Sequence, residues 1–171
     1  MIIRKSDAND ATDLTLLFDE ARATIAMLGI DQWQDGYPQR SVIEGDIRLG
    51  RSYCVCDDGI CGTFVLLDDG EPTYDRIFDG EWLTGDSRSY IAIHRVAVAK
   101  SRRGSGISTL IIDYAASVAH ECGRRSLRID THRGNVVMRR MLERHGFVHC
   151  GTILLPGGAE RVVYEKILEM N

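Results

Sequence analysis

The stretch Val96-Ala-Val-Ala-Lys-Ser-Arg-Arg103-Gly-Ser-Gly106-Ile-Ser108 has the composition of a buried strand that passes through a small Gly-rich turn into a long helix. Such a junction gathers backbone N–H groups and the positive end of a helix at one spot beyond the carboxyl end of the strand. The chemistry it suits is anion binding: Gly104 and Gly106 let phosphate oxygens approach the backbone, and Arg102 and Arg103 add charge. A Gly-rich turn with solvated arginines has the same spelling. Two common nucleotide motifs are not met, since GxGxxG from Gly104 needs Gly where Thr109 stands and no GxxxxGK[ST] occurs.

Candidates for proton transfer lie close by. His94 belongs to the same strand, and period-two alternation puts it on the face of Val96 and Val98. A neutral imidazole can act as a proton acceptor near neutral pH, and a lone His on a buried strand can equally be a packing residue. Asp130 and His132 share one face at the end of a second strand, where they can orient an acceptor, couple to His94 or cap the turn that follows. Trp33 and Tyr37 sit in Gln32-Trp-Gln-Asp-Gly-Tyr-Pro38, an aromatic-rich loop that reads as a recognition wall or, for Trp33, as a lid on the core. Cys54, Cys56 and Cys61 lack a fourth ligand at zinc spacing, so the five cysteines read as thiols in a reducing compartment and no metal is expected.

These residues need elements to hold them. Ile2 to Arg4 predicts a first strand, and Leu14, Leu17, Phe18, Ala21, Ile25 and Leu28 trace a helical stripe that stops at Gly29. Ser41-Val-Ile-Glu44 has the spelling of a capping box that opens a second helix ending near Gly50. Ser52 to Cys56 and Ile60 to Leu67 predict an antiparallel hairpin joined at Asp58-Gly59. From Asp68 to Ser89 the chain is polar, with seven acids (Asp68, Asp69, Glu71, Asp75, Asp79, Glu81, Asp86) against Arg76 and Arg88, yet it carries Tyr74, Phe78, Trp82 and Leu83. A connection of about twenty residues is too long for a plain loop, so it is a functional lid or contains an element of its own. Its acids either steer a cationic acceptor or form a solvated face. Tyr90 to Val98 is a central strand, and Ile107 to Cys122 a helix stopped by Gly123. Ser126 to Thr131 is a strand, and Met138 to His145 a helix capped by Asn135 and closed by Gly146. Phe147 to Leu154 and Arg161 to Ile167 close the chain as a hairpin through Pro156-Gly-Gly158. The order β α α β β β α β α β β implies an α/β (α+β) mixed sheet with helices on both faces.

Length and composition bound what such a chain does. Its 171 residues, 44% hydrophobic and 27% charged, fit one globular domain over residues 1–171 that buries its own core without disulfides. A net charge of −4 argues against a general nucleic-acid binder, which needs a basic surplus. The opening Met1-Ile-Ile-Arg-Lys-Ser-Asp7 has no apolar signal core and no run of 18 apolar residues occurs, so a cytoplasmic protein without membrane partners is expected.

Two motifs in the right order carry a resemblance to the GNAT superfamily of acyl-CoA-dependent N-acyltransferases. The family signature is a strand ending in Val-x-Val followed by [RQ]-x-x-G-x-[GA] opening a helix, and Arg103-Gly-Ser-Gly106-Ile-Ser108 matches with Ser108 in the last small position. Its second pattern, Asn with Gly-Phe eleven and twelve positions on, is matched by Asn135 and Gly146-Phe147, and the element order fits over essentially the whole chain. The resemblance implies a single-domain GNAT-like fold with about seven strands, in which Tyr90 to Val98 and Ser126 to Thr131 are two parallel central strands that splay apart. It implies that acetyl-CoA lays its pyrophosphate on Gly104, Ser105, Gly106, Ile107, Ser108 and Thr109 beside Arg103. The pantetheine arm then pairs along Val96, Ala97 and Val98, with Asn135 beside it. A backbone N–H near Val98 polarises the thioester carbonyl.

Two positions depart from the family pattern. Leu142 stands where relatives often carry the Tyr that protonates the leaving thiolate, so the thiolate leaves unassisted or His145, His132 or Cys150 serves. For His145, the fourth member of an apolar stripe, a packed helix-end residue is the plainer reading. His94 stands where many relatives carry the Glu base. The reading is an N-acetyltransferase that moves an acetyl group from acetyl-CoA to a primary amine by direct attack in a ternary complex. His94 is the catalytic residue, and Trp33, Tyr37, Asp130 and His132 face the acceptor. A small-molecule amine is expected, a protein N-terminus or lysine is the runner-up, and a homodimer is admitted. A non-catalytic acyl-CoA-binding module and a nucleotide phosphate-binding module are the rivals from other classes.

Overall fold

A computed structural model describes residues 1–85 and 88–169, so Asp86 of the acidic connection lies outside the described residues. Seven strands form a mixed sheet with four α-helices: β1 (Ile2–Lys5), α1 (Ala11–Ala26), α2 (Arg40–Arg48), β2 (Ser52–Cys56), β3 (Ile60–Leu67), β4 (Tyr90–Val98), α3 (Ile107–Glu121), β5 (Ser126–Thr131), α4 (Val136–Arg144), β6 (Val148–Leu154) and β7 (Glu160–Ile167). Contacts divide the chain into two compact units, one of residues 1–66 with 95–111 and the other of 67–94 with 112–171. β4 and α3 each have one end in either unit.

In the first unit β1, β2 and β3 pair antiparallel, and the Ala99 N–H donates to the Cys61 carbonyl (2.9 Å) where β4 ends beside β3. The β2–β3 turn is the expected one, with Asp58 and Gly59 both at positive φ. Leu14, Leu17, Phe18 and Ala21 of α1 pack with Ile43, Cys54 and Ala97 into one core cluster, each large side chain gaining about 1.5–3 kcal/mol from burial. The stripe does not continue to Leu28: the helix ends at Ala26 and Leu28 is exposed. The expected capping box at Ser41 and Glu44 is also absent. The α2 cap is Gln39, which makes no side-chain cap bond, Ser41 lies inside the first turn, and the Glu44 carboxylate is taken by Arg40 (2.7 Å). Capping-box chemistry appears instead at Asp7 and Asp10, where Arg4 adds two bonds to the Asp10 carboxylate (2.7 and 2.8 Å). Arg4 holds the Asp10 carboxyl below its ordinary range.

In the second unit β4 pairs parallel with β5, β5 antiparallel with β7, and β7 antiparallel with β6. The β4–β5 pairs run from Tyr90–Ser126 to Ile93–Ile129 and no further, although β4 continues to Val98 and β5 to Thr131. The long polar connection does contain an element of its own, a short 3₁₀ turn over Pro72–Asp75. Glu71 caps that turn and Pro72 occupies its first position, where a missing N–H costs nothing. Far from a solvated strip, the connection buries Tyr74 and Trp82, and Phe78 exchanges backbone hydrogen bonds with Thr152 of β6 (2.8 and 2.9 Å). Just beyond, Gly80 lies so close to β6 that a β-carbon there would overlap the Cys150 carbonyl oxygen.

Among the described residues no helix is long and apolar enough to cross a membrane. The Cys54 thiol contacts the Ser6 hydroxyl (3.1 Å), and burial pushes its pKa up to about 11.

Candidate active site

In the first unit, β4 is interrupted by Arg95, which takes a left-handed backbone at φ 51°. A non-Gly residue in that region costs on the order of 1–3 kcal/mol and persists where its surroundings hold it. Here Asp46, a buried residue of α2, accepts from Nε (2.7 Å) and a terminal nitrogen (3.1 Å) of Arg95, whose other terminal nitrogen donates to the Tyr37 hydroxyl. Burial works against the Arg95 charge, but Tyr37 and Asp46 outweigh it and raise its pKa. One consequence corrects the sequence reading. Side-chain alternation cannot be counted through a left-handed residue, so parity does not put His94 on the face of Val96 and Val98.

Beyond Arg95, Val96 and Val98 are half-buried and Ala97 is in the core. The chain then turns through Lys100–Arg102 into exposed Arg103, Gly104, Ser105 and Gly106. Gly104 (φ 77°) and Gly106 (φ 86°) both require glycine, and nothing lies within 4 Å of where a β-carbon on either would stand. Ile107, buried, anchors the start of α3, and the first bond into that helix runs from the Leu110 N–H to the Gly106 carbonyl (3.1 Å). The N–H groups of Ile107 and Ser108 precede it and have no acceptor within the helix, while Thr109 follows on an exposed position. Arg102 and Arg103 are less available than their spelling suggests: Arg102 is paired with Asp57, and Arg103 donates to the Thr24 hydroxyl (2.9 Å).

In the second unit His94 has a carboxylate toward each ring nitrogen. Glu71 Oε2 lies 3.3 Å from Nε2 and Asp130 Oδ1 lies 3.9 Å from Nδ1, all three side chains being 14–17% exposed. The Tyr74 ring stacks on the imidazole (centroids 5.7 Å apart), and its hydroxyl donates to Asp130 Oδ1 (2.7 Å). Burial, with Asp130 nearby, pushes the Tyr74 phenol well above its ordinary pKa, so it stays a neutral donor. Glu71 is fixed from two sides, since its carboxylate accepts from the Thr73 N–H (3.0 Å) and hydroxyl (2.9 Å) and its own N–H donates to the Tyr90 hydroxyl (3.0 Å).

Of the residues singled out from the sequence, the structure therefore brings His94 and Asp130 together. His132 Nδ1 accepts from the Gly134 N–H (2.9 Å), the turn-capping option. Asn135 caps α4 by accepting from the Met138 N–H (3.1 Å). Trp33 packs edge-on against Phe18 (5.7 Å) as a lid on the core cluster, and Tyr37 lies on Arg95. Leu142 is wholly buried, His145 Nδ1 bonds the Met141 carbonyl (2.8 Å), and burial raises the Cys150 thiol. Glu71 and Tyr74 were not anticipated. The usable signal was an acid directly before a proline, which marks the start of a turn inside a connection too aromatic to be solvated.

The described chemistry is an imidazole set between two carboxylates, on a strand whose end is followed by an exposed helix-opening turn. A family model described as "Acetyltransferase (GNAT) family" matches residues 17–147. A GNAT-family acetyltransferase from Streptococcus agalactiae 2603 is 36% identical with a TM-score of 0.88, over 98% of this chain and 95% of that one. A GNAT-family acetyltransferase from Listeria monocytogenes 4b F2365 (21% identity, TM-score 0.70, 98% and 94% covered) shares the fold. So does the ribosomal-protein-alanine N-acetyltransferase from Brucella melitensis (19%, 0.68, 98% and 100%). A search of curated proteins finds no match. The chain belongs to the GNAT acetyltransferase family and is an acyltransferase enzyme.

Proposed function

We propose that this chain is one N-acetyltransferase domain that transfers an acetyl group from acetyl-CoA to the primary amine of a small molecule. The observation that carries the reading is His94 held between Glu71 (3.3 Å) and Asp130 (3.9 Å), in the strand that leads to the Gly104–Gly106 turn. The turn fits a pyrophosphate. Its glycines leave the backbone open, and the positive end of α3 follows immediately.

When bound, acetyl-CoA supplies the acetyl group as a thioester. Val96 to Val98 align the pantetheine arm by strand-like pairing, and a backbone N–H near Val98 polarises the thioester carbonyl. His94 accepts the proton that the amine sheds as the new C–N bond forms and the C–S bond breaks. Glu71 and Asp130 offset the positive charge that then develops on the imidazole. They also favour an acceptor that arrives as a cation. No side chain has to protonate the departing sulfur, because a thiol of pKa near 8.5 leaves as thiolate, which is consistent with a buried Leu142.

The test is a panel of small amines, amino acids, an N-terminal peptide and a lysine peptide incubated with acetyl-CoA and read by thiol release. Turnover of a small amine is the expected result. Peptide acetylation alone would move the acceptor to a protein, and tight coenzyme binding without turnover of any amine would leave a binding module.

A further inference from the structure

We infer that Arg128 is a positioning residue for the proton-transfer site, acting through Trp82 and Tyr90, and this rests on the acyl-transfer reading only for its consequence in turnover. Arg128 is 2% exposed on β5, and a buried guanidinium needs both charge and hydrogen-bond partners. Its Nε donates to Glu165 Oε1 (2.9 Å), and a terminal nitrogen donates to the Thr84 hydroxyl (3.0 Å) and the Gly85 carbonyl (2.9 Å). Two aromatic rings lie against its guanidinium, Trp82 at 4.1 Å and Tyr90 at 4.2 Å. The planar cation thus contacts two rings from different segments while its N–H groups bond Glu165, Thr84 and Gly85, a combination a lysine ammonium does not reproduce.

Both rings spend their polar atoms on the residues that face His94. The Trp82 indole N–H donates to the Tyr74 carbonyl (3.0 Å), and the Tyr90 hydroxyl accepts from the Glu71 N–H (3.0 Å). Tyr74 in turn stacks on His94 and donates to Asp130, while Glu71 faces His94 Nε2. Each end of the Pro72–Asp75 turn is therefore tied to one wall of the Arg128 cage. Among the described residues, Glu71 and Tyr74 of the connection and Asp130 of β5 face His94, and the cage locates the first two.

The experiment uses Tyr90→Phe, which deletes only the hydroxyl, and Trp82→Phe, which removes the indole N–H together with part of its ring and still leaves an aromatic ring beside Arg128. Arg128→Met leaves Glu165 buried without its cation and reports folding more than positioning, so the two ring variants carry the test. Titration of the His94 imidazole followed by NMR is read first, with acetyl transfer and coenzyme affinity alongside. As Glu71 or Tyr74 shifts, the imidazolium loses support, so the His94 midpoint is expected to fall by about half a pH unit or more in both variants. The kcat should fall roughly three- to thirtyfold with coenzyme affinity unchanged. A midpoint and kcat equal to the parent protein's, with only a lower melting temperature, would overturn the inference. Were the parent to acetylate no amine, the acyl-transfer reading would fall while the NMR midpoint still decides the cage.

Discussion

β4 carries His94 and the turn at Gly104–Gly106 follows its end, and the surroundings of the two are made in opposite ways. The turn is main chain: two left-handed glycines, the start of α3 and an exposed surface whose neighbouring arginines are already bonded to Asp57 and Thr24. Around His94 the main chain only carries side chains, and Glu71, Tyr74, His94 and Asp130 come from positions up to 59 residues apart in sequence (130 − 71 = 59). The first should therefore be hurt by bulk and indifferent to most side-chain chemistry. The second should be indifferent to modest changes of shape and hurt by loss of a single functional atom.

The sharpest break in that comparison is His94→Gln, which keeps size and a hydrogen bond and removes the imidazole proposed as the proton acceptor. Turnover should fall by roughly 10²–10⁴, coenzyme affinity should hold, and the acidic limb of the kcat/KM profile due to the imidazole should disappear. Two acceptors of different pKa must be compared, because a limb that follows the acceptor and survives the substitution would take His94 out of the chemistry.

Gly106→Glu tests the opposite half. It places bulk, strain at φ 86° and a negative charge where an anion is proposed to sit. Coenzyme affinity by calorimetry should drop at least tenfold, about 1.4 kcal/mol. An unchanged affinity in a folded variant would refute the placement.

Glu71→Gln is a smaller and more diagnostic change. Losing a carboxylate partner makes the protonated imidazole less favourable, so the acidic limb should move to lower pH. The kcat should fall by roughly tenfold or less, because Asp130 still faces the other ring nitrogen. A limb that stays in place would mean that Glu71 only caps its turn. Least of all, His145→Gln and Cys150→Ser should each alter turnover by less than about tenfold. A hundredfold loss in either, with coenzyme bound normally, would reveal an acid for the leaving thiolate.

Much of the fold was legible because its signals are local. Strand limits at Ser52, Cys56, Tyr90, Val98, Ser126 and Thr131 follow from apolar runs bounded by turns, and Asn135 caps α4 as its position suggests. The turn that opens α3 was equally legible, since a main-chain turn is written in its own local residues, here Gly104 and Gly106 on either side of Ser105. The other half was not, because Glu71 reaches His94 only through tertiary packing and a polar connection gives no hint of which acid turns inward. Arg95 shows a different limit: its left-handed backbone is held by Asp46, 49 positions earlier, and no count of alternating residues can register that. At Ser41 and Glu44 the motif was present, but Arg40 had already claimed the acid.

The near-touch of Gly80 on the Cys150 carbonyl bears on how this enzyme could drift over generations. Backbone set against backbone leaves no room for a side chain, so the path of the connection is frozen even where an exposed residue such as Glu81 is free to change. Inherited variation in the acceptor preference of such a chain would then accumulate as exchanges of surface chemistry along a fixed track. Insertions or deletions between Phe78 and Trp82 would be purged, because they would slide Glu71 and Tyr74 away from His94 together.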